Sequence, residues 1–255
     1  MTPPSPLLTV RLAADEADVL AAQRLRYEVF VEELGGDGPL VDHAARLERD
    51  AFDPHFDHIV LVDARRPAGR HVVGVYRVMR RAAAEAGRGF YSAGEYDLGP
   101  LLAAGRGVAE LGRSCVAREV RGGPALFLLW AALGRYAEAH GLDVLFGVAS
   151  FPGTDPAPLA QPLSLLHHHH LAPAELRVRA LDPGRVPMDV LPSEALDRRA
   201  ALAALPPLIR AYLRIGGRVG EGAFVDRAFN TVDVCLVMDA ARMTASARAR
   251  YGGGR

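Results

Sequence analysis

Apolar positions recur along this chain with two periods, and the alternation between them lays out the elements. "LLTVRL" (Leu7 to Leu12) has a strand's pattern, and Asp15 then caps a helix in which Val19, Leu20, Leu25, Val29 and Phe30 recur at helical spacing. "HIVLVDA" and "HVVGVYRVMR" are rich in β-branched residues and flank the turn-rich "RRPAGR", which predicts an antiparallel hairpin. "VAELGRSCV" is a further strand. "PALFLLWAALGRYAEAHG" follows as a buried helix, with Pro124 near its start and Gly141 after its end. "LDVLFGVAS" is apolar without alternation, as in a strand buried on both faces, and "FPGTDPAP" ends it. Farther on, "APLAQPLSLLHHHHL" reads as a helix, "LDPGRVPMDVLPSEA" as a Pro-rich connection, "PPLIRAYLRIGG" as a short helix ending at Gly216, and "DVCLVMDA" as a last strand.

No internal repeat and no linker long enough to separate autonomous domains interrupts this order. One α/β (α+β) domain over residues 1–255 is therefore expected, with a mixed central sheet that splays in its middle. Residues 240–255, rich in Gly and Ala and carrying Arg242, Arg248, Arg250 and Arg255, read as a flexible basic tail.

Composition removes several classes of function. Lys plus Arg and Asp plus Glu number 30 each, so the overall basic excess of a nucleic-acid binder is missing. The charge is nonetheless segregated. Acidic residues collect between Glu28 and Asp57, whereas Arg77, Arg80, Arg81, Arg88, Arg106, Arg113, Arg118 and Arg121 crowd the middle of the chain and suit an acidic partner. Cys115 and Cys235 both lie in apolar strand-like runs, which argues against a disulfide framework and for a reducing cytoplasm. The first residues lack the pattern of a secretory signal, and no window reaches 18 apolar residues without a charge. Peripheral contact with the inner membrane stays open.

Three features carry candidate chemistry. Arg118 to Gly123, "REVRGG", joins a strand to a helix, so its backbone N–H groups and the helix N-terminus form a natural anion site; an ordinary connector is the competing account. It is neither a P-loop nor a dinucleotide fingerprint, since G-K-[ST] and G-x-G-x-x-G are both missing. Glu110 and Arg113 stand three apart on a strand and point to opposite faces if pairing is regular, one serving a site while the other holds the scaffold. A charge in a buried strand costs several kcal/mol to desolvate unless it is paired or used. The run His167, His168, His169 and His170 invites a metal, but consecutive helical residues point about 100° apart, so at most two could meet one ion. No metal is expected. Hydrolase signatures such as G-x-S-x-G are missing, which leaves covalent catalysis with little support.

Taken together, "LRYEVFVEELGG", "RDAFDPHFDHIVLVD", "VGVYRVM", "FYSAGEYDL" and "ELGRSCV" occur in the order found in the acyl-homoserine-lactone synthases and their relatives in the GNAT acyltransferase superfamily, which the chain resembles. "LFGVASFPGTDP", "LSLLHHHHLAP", "YLRIGGRVGEGAFVD" and "FNTVDVCLVM" are similar to the bacterial ornithine acyl-carrier-protein N-acyltransferases, often labelled hemolysin-like. The likeness runs from about Val10 to Asp239. It implies a GNAT fold, an acyl-carrier-protein thioester as donor, an amino acid acceptor, and no resident cofactor, because the phosphopantetheine arrives on the carrier.

By the same resemblance, Arg26, Asp50, Asp53, Arg77 and Arg113 fall at positions associated with substrate binding, and Glu110 is the first choice for accepting the amine's proton. Val116, Arg118, Arg121, Gly122 and Gly123 occupy the turn that takes the pantetheine phosphate in GNAT proteins. The turn departs from the common Q/R-x-x-G-x-G/A form, since Val120 stands where Gln or Arg would precede Gly123. The acceptor is open among ornithine, lysine, glutamine and glycine. A homoserine-lactone-type synthase would normally show an aromatic residue soon after "VF", and "VFVEELGGDG" has none. A membrane-active protein is the non-enzyme alternative, opposed by the missing export signal and amphipathic insertion segment.

Overall fold

The predicted runs become strands and helices in the expected order in the computed structural model, which describes residues 7–38, 41–244 and 246. The first third holds β1 (Leu8–Leu12), α1 (Glu16–Arg26), β2 (Val41–Asp42), β3 (Leu47–Glu48), β4 (Asp57–Asp63) and β5 (Val72–Arg80). Then come α2 (Arg81–Ala86), β6 (Tyr96–Asp97), α3 (Gly99–Ala103), β7 (Val108–Val116), α4 (Ala125–Ala139), β8 (Val144–Pro152) and α5 (Ala160–His170). The rest comprises β9 (Arg179–Ala180), β10 (Arg185–Val186), α6 (Arg198–Ala204), α7 (Pro207–Arg214), β11 (Arg218–Val219), β12 (Ala223–Asp226) and β13 (Thr231–Asp239). Most of the basic tail expected over 240–255 lies outside the described residues; Ala240–Arg242 form a 3-10 turn.

These elements gather into two compact units, one taking residues 7–79 and 111–140, the other 80–110 and 141–246. No linker announces the division: the chain passes between units after Met79 in β5, after Glu110 in β7 and after His140, between α4 and β8.

In the first unit the strands follow the order β1-β4-β5-β7. The predicted hairpin is real: β4 and β5 pair antiparallel from Asp57↔Val78 to Val62↔Val72, with a bulge between Leu61 and Val62. Helix α4 buries Ala125, Leu129, Trp130, Leu133 and Tyr136, a stripe at helical spacing, and packs on β1 and β4. Gly74 on β5 permits this approach, since a Cβ there would stand 3.1 Å from Leu129 and 3.2 Å from Leu61. Asp15 caps α1 as predicted, accepting from the Asp18 N–H at 3.0 Å. The helix does not continue as α beyond Arg26, however. Tyr27–Glu33 form a π-helix, and the Tyr27 hydroxyl stands 3.0 Å from His43 Nδ1.

In the second unit the order is β7-β8-β13-β12-β10, with β11 also on β13. The β7–β8 ladder is parallel and has three pairs, Val108↔Val144, Ala109↔Leu145 and Glu110↔Phe146. It ends at Glu110, while β8 runs on to Pro152 paired with β13 along its whole length. Parallel β7–β8 beside antiparallel β8–β13 makes the mixed α/β sheet that the element order predicts.

Candidate active site

Three arginines and three carboxylates interlock in the first unit. Arg26 ends α1, Glu48 ends β3, Asp50 follows it, Asp53 opens a 3-10 turn, Arg77 lies on β5 and Arg113 on β7. Arg26 donates through Nε to Glu48 and through Nη1 to Asp53 Oδ1 at 2.6 Å. Arg77 Nη1 donates to Asp53 Oδ1 at 2.6 Å and to Asp50 Oδ1 at 2.8 Å, and its guanidinium stacks 4.3 Å over the Phe56 ring. Arg113 Nε donates to Glu48 Oε1 at 3.0 Å, and its Nη2 stands 3.4 Å from Asp50 Oδ2.

Burial would raise the pKa of these acids, but the guanidinium groups win. Asp53, between Arg26 and Arg77, is held well below the usual carboxylate range; Glu48, beside Arg113 and Arg26, and Asp50, beside Arg77, are lowered as well. Burial also lowers the pKa of His58, which lies against the Asp53 carbonyl.

Exposure separates the members of this network. Arg26 and Arg77 side chains are 0% and 1% exposed, whereas those of Arg113 and Asp50 keep 12% and 14%. Arg113 and Asp50 are thus the members with side-chain surface left accessible. Arg113 also has φ +49, in the left-handed region that a non-glycine strand residue avoids. That backbone turn breaks the alternation assumed for β7, and strain of this kind collects where a side chain is aimed for use. Glu48 went unselected in the sequence, although balancing three arginines against Asp50 and Asp53 calls for a third acid.

The turn after β7 lies in the same unit. Arg118–Val120 form a 3-10 turn, Gly122 adopts φ +77, and Pro124 precedes α4 without any side-chain cap. The N-terminus of α4 is by its dipole a favourable place for an anion. Arg121 braces the turn, donating to the Val116 carbonyl at 2.8 Å and to Glu33 at 2.7 Å. The Arg118 side chain is 78% exposed, with Glu33 3.8 Å away. Val116, Arg118, Arg121, Gly122 and Gly123 are therefore brought together, and Arg118 is the member that faces outward.

Glu110, the candidate base, is 1% exposed in the second unit. Its carboxylate accepts from the Tyr91 N–H at 2.7 Å, from the Ser92 N–H at 2.6 Å and from the Ser92 hydroxyl. A carboxylate committed to three donors anchors the Tyr91–Gly94 turn, and this geometry lends no support to a proton-accepting role. The spacing of Glu110 from Arg113 carried no information about Tyr91 and Ser92. Glu95, Asp226 and Asp233 also lie close in this unit, one carboxylate oxygen of each within 4.8 Å of the others. Both cysteines are free and buried. Burial raises the pKa of each thiol, and at Cys235 the Glu110 and Glu95 carboxylates add to it, so neither is activated as a nucleophile.

A family model described as an acetyltransferase (GNAT) domain matches residues 25–131, a span containing the whole charged network and the turn. A Rhodobacter capsulatus protein named L-ornithine N(alpha)-acyltransferase is 59% identical over 245 residues, covering 95% of this chain and 93% of its own length. A Brucella abortus protein of the same name is 41% identical over 249 residues, covering 96% and 89%. Among solved structures, FeeM, an N-acyl amino acid synthase from uncultured soil microbes, matches with TM-score 0.54 at 12% identity, over 96% of this chain and 99% of that one. At that identity the likeness shows the fold alone.

Proposed function

The chain belongs to the L-ornithine N(alpha)-acyltransferase family and is a GNAT acyltransferase, and from that premise we propose that it moves a 3-hydroxyacyl chain from acyl carrier protein to the α-amine of L-ornithine, giving lyso-ornithine lipid. This is the first step of ornithine lipid biosynthesis. The observation that carries it is the 59% identity over 95% of the chain to a protein of that name. Direct transfer suits the chemistry: the neutral amine attacks the thioester carbonyl, the tetrahedral intermediate collapses, the nitrogen loses a proton and the carrier leaves as a thiol. With both cysteines buried and deactivated, an acyl-cysteine intermediate has no support.

Arg113 is the group we assign to the acceptor's carboxylate. It keeps partial exposure, presents a planar fork suited to a carboxylate, and is held in place by Glu48 and Asp50. Asp50, the other partly exposed member, suits an ammonium group of the acceptor. Arg26, Arg77, Glu48 and Asp53 position these two. The uncapped start of α4 and Arg118 are assigned to the phosphate of the carrier's pantetheine arm, to which a helix N-terminus is attractive without any special motif. Among the described residues no helix is long and apolar enough to cross a membrane. Contact with the inner membrane, where the product belongs, would then be peripheral.

Expression of this gene alone in a host lacking aminolipids, followed by mass spectrometry of extracted lipids, tests the proposal. The expected product carries the ornithine head group in amide linkage to a 3-hydroxyacyl chain. Increments matching lysine, glutamine or glycine would change the acceptor, and a homoserine lactone product would overturn the assignment. Lysis of erythrocytes without acyl transfer would favour the membrane-active alternative.

A further inference from the structure

Four consecutive histidines close α5, and the acyl transfer proposed above uses none of them. The fold separates them. His170 is half-buried, and burial together with the nearby Arg218 holds its pKa down to about 4. His169 lies against Arg198, whose Nη2 stands 3.1 Å from Nδ1 and 3.2 Å from Nε2 of the ring. His167 and His168 turn instead toward Asp189, in the connection between β10 and α6. His168 Nε2 stands 3.3 Å from Asp189 Oδ1 and His167 Nε2 stands 3.9 Å from Asp189 Oδ2. One ligand atom from each of the three lies within 4.8 Å of the other two. The two rings are nearly perpendicular, at 86° with centroids 5.2 Å apart.

We propose that His167, His168 and Asp189 bind one divalent transition-metal ion of the zinc type, which ties the end of α5 to the connection before α6. In a tetrahedral site with zinc bonds near 2.0–2.1 Å, neighbouring ligand atoms are separated by roughly 3.3 Å. The His168–Asp189 separation already has that value, and the exposed Asp189 needs a small adjustment to close on His167. The connection is already fixed to the same helix one turn earlier. Ser164, fully buried, accepts from the Val190 N–H at 3.2 Å and the Leu191 N–H at 2.9 Å, which places Asp189 opposite the histidines before any ion arrives. The C-terminal end of a helix also favours positive charge.

Without the ion, His168 Nε2 lies 2.8 Å from the Leu191 carbonyl and can donate to it. On binding, the imidazole takes its other tautomer: the proton passes through solvent from Nε2 to Nδ1, Nε2 gives its lone pair to the metal, and the contact to the carbonyl is lost. A water would complete the four-coordinate site. Two imidazoles and one carboxylate suit zinc, cobalt or nickel; magnesium and calcium require six or more oxygen ligands. The inference stands independently of the acyl acceptor and donor.

The test uses full-length protein with no polyhistidine tag, which would itself take up metal. Zinc chloride is titrated calorimetrically, and cobalt(II) chloride is followed by visible absorption. One ion per chain is expected, with the intense cobalt absorption of a four-coordinate site and a higher Tm in zinc. His168→Ala should weaken binding at least about tenfold. Because that variant also loses the Leu191 contact, Asp189→Asn, at an exposed side chain, is the second and cleaner variant, and it should weaken binding comparably. His169→Ala should bind as the unaltered protein does, and magnesium chloride should produce no saturable heat. Undiminished zinc affinity in both His168→Ala and Asp189→Asn would place the ion elsewhere and overturn the proposal, as would the lack of saturable binding by the unaltered protein.

Discussion

Arg113 and Glu110 show how a residue's use is settled by its partners. Each was legible as a charge in an otherwise apolar strand. Arg113 departs from regular strand geometry at φ +49 and keeps part of its side chain accessible, whereas Glu110 is committed to Tyr91 and Ser92. Glu110→Gln is therefore expected to lower Tm and activity together. An amide must turn its NH2 toward a donor that the carboxylate accepted from, at a cost of roughly 1–3 kcal/mol. In a chain of this size that corresponds to a fall in Tm of about 2–10 °C by differential scanning calorimetry. A variant with unchanged Tm and only kcat reduced would restore Glu110 as a base. Glu48 teaches the converse. It is 1% exposed next to Leu47, which is also buried, so no two-residue alternation could have marked it as inward-facing.

At the level of elements, the turn between β7 and α4 and the buried stripe of α4 were readable because both depend on neighbours in sequence. Pro124, Gly122 and the apolar spacing act within a few residues of where they stand. The π-helix at Tyr27–Glu33 was not readable, since its apolar positions fit an α-helix equally well. Within the turn, Arg121 is spent on Glu33 and Val116, and Arg118 is the more exposed of the two, the one that would meet the acidic carrier of the proposed reaction. Arg118→Glu is expected to raise KM for the carrier-borne donor several-fold, leave kcat little changed, and flatten the rise of KM with salt. Initial rates at a series of sodium chloride concentrations check this; a salt dependence identical to that of the unaltered protein would remove Arg118 from docking.

For the molecule as a whole, the buried network predicts how stability responds to acid. Asp53, Glu48 and Asp50 all have pKa values below those of an unfolded chain, so as the pH falls the unfolded state takes up protons first. Their contribution is fully present above the unfolded carboxylate pKa, about 4, and drains away as the pH falls toward the folded values. Urea unfolding between pH 7 and 3 should show a plateau followed by a steep loss. Asp53→Asn should be destabilised at neutral pH by about 3–5 kcal/mol, because it leaves Arg26 and Arg77 short of a partner, and should lose less on acidification. Equal acid slopes in both proteins would show that the network does not set the response. The sequence by itself determined the order of elements, the antiparallel hairpin, the mixed sheet and the family, since local spacing and motif order are written along the chain. Tertiary structure decided that Glu48 completes the charge balance, that Glu110 anchors a turn, that the chain divides in mid-strand, and that two histidines of four meet Asp189. Each of these depends on which distant segment arrives beside a residue, and the pattern of apolar and polar positions fixes which face is buried without naming the partner that covers it.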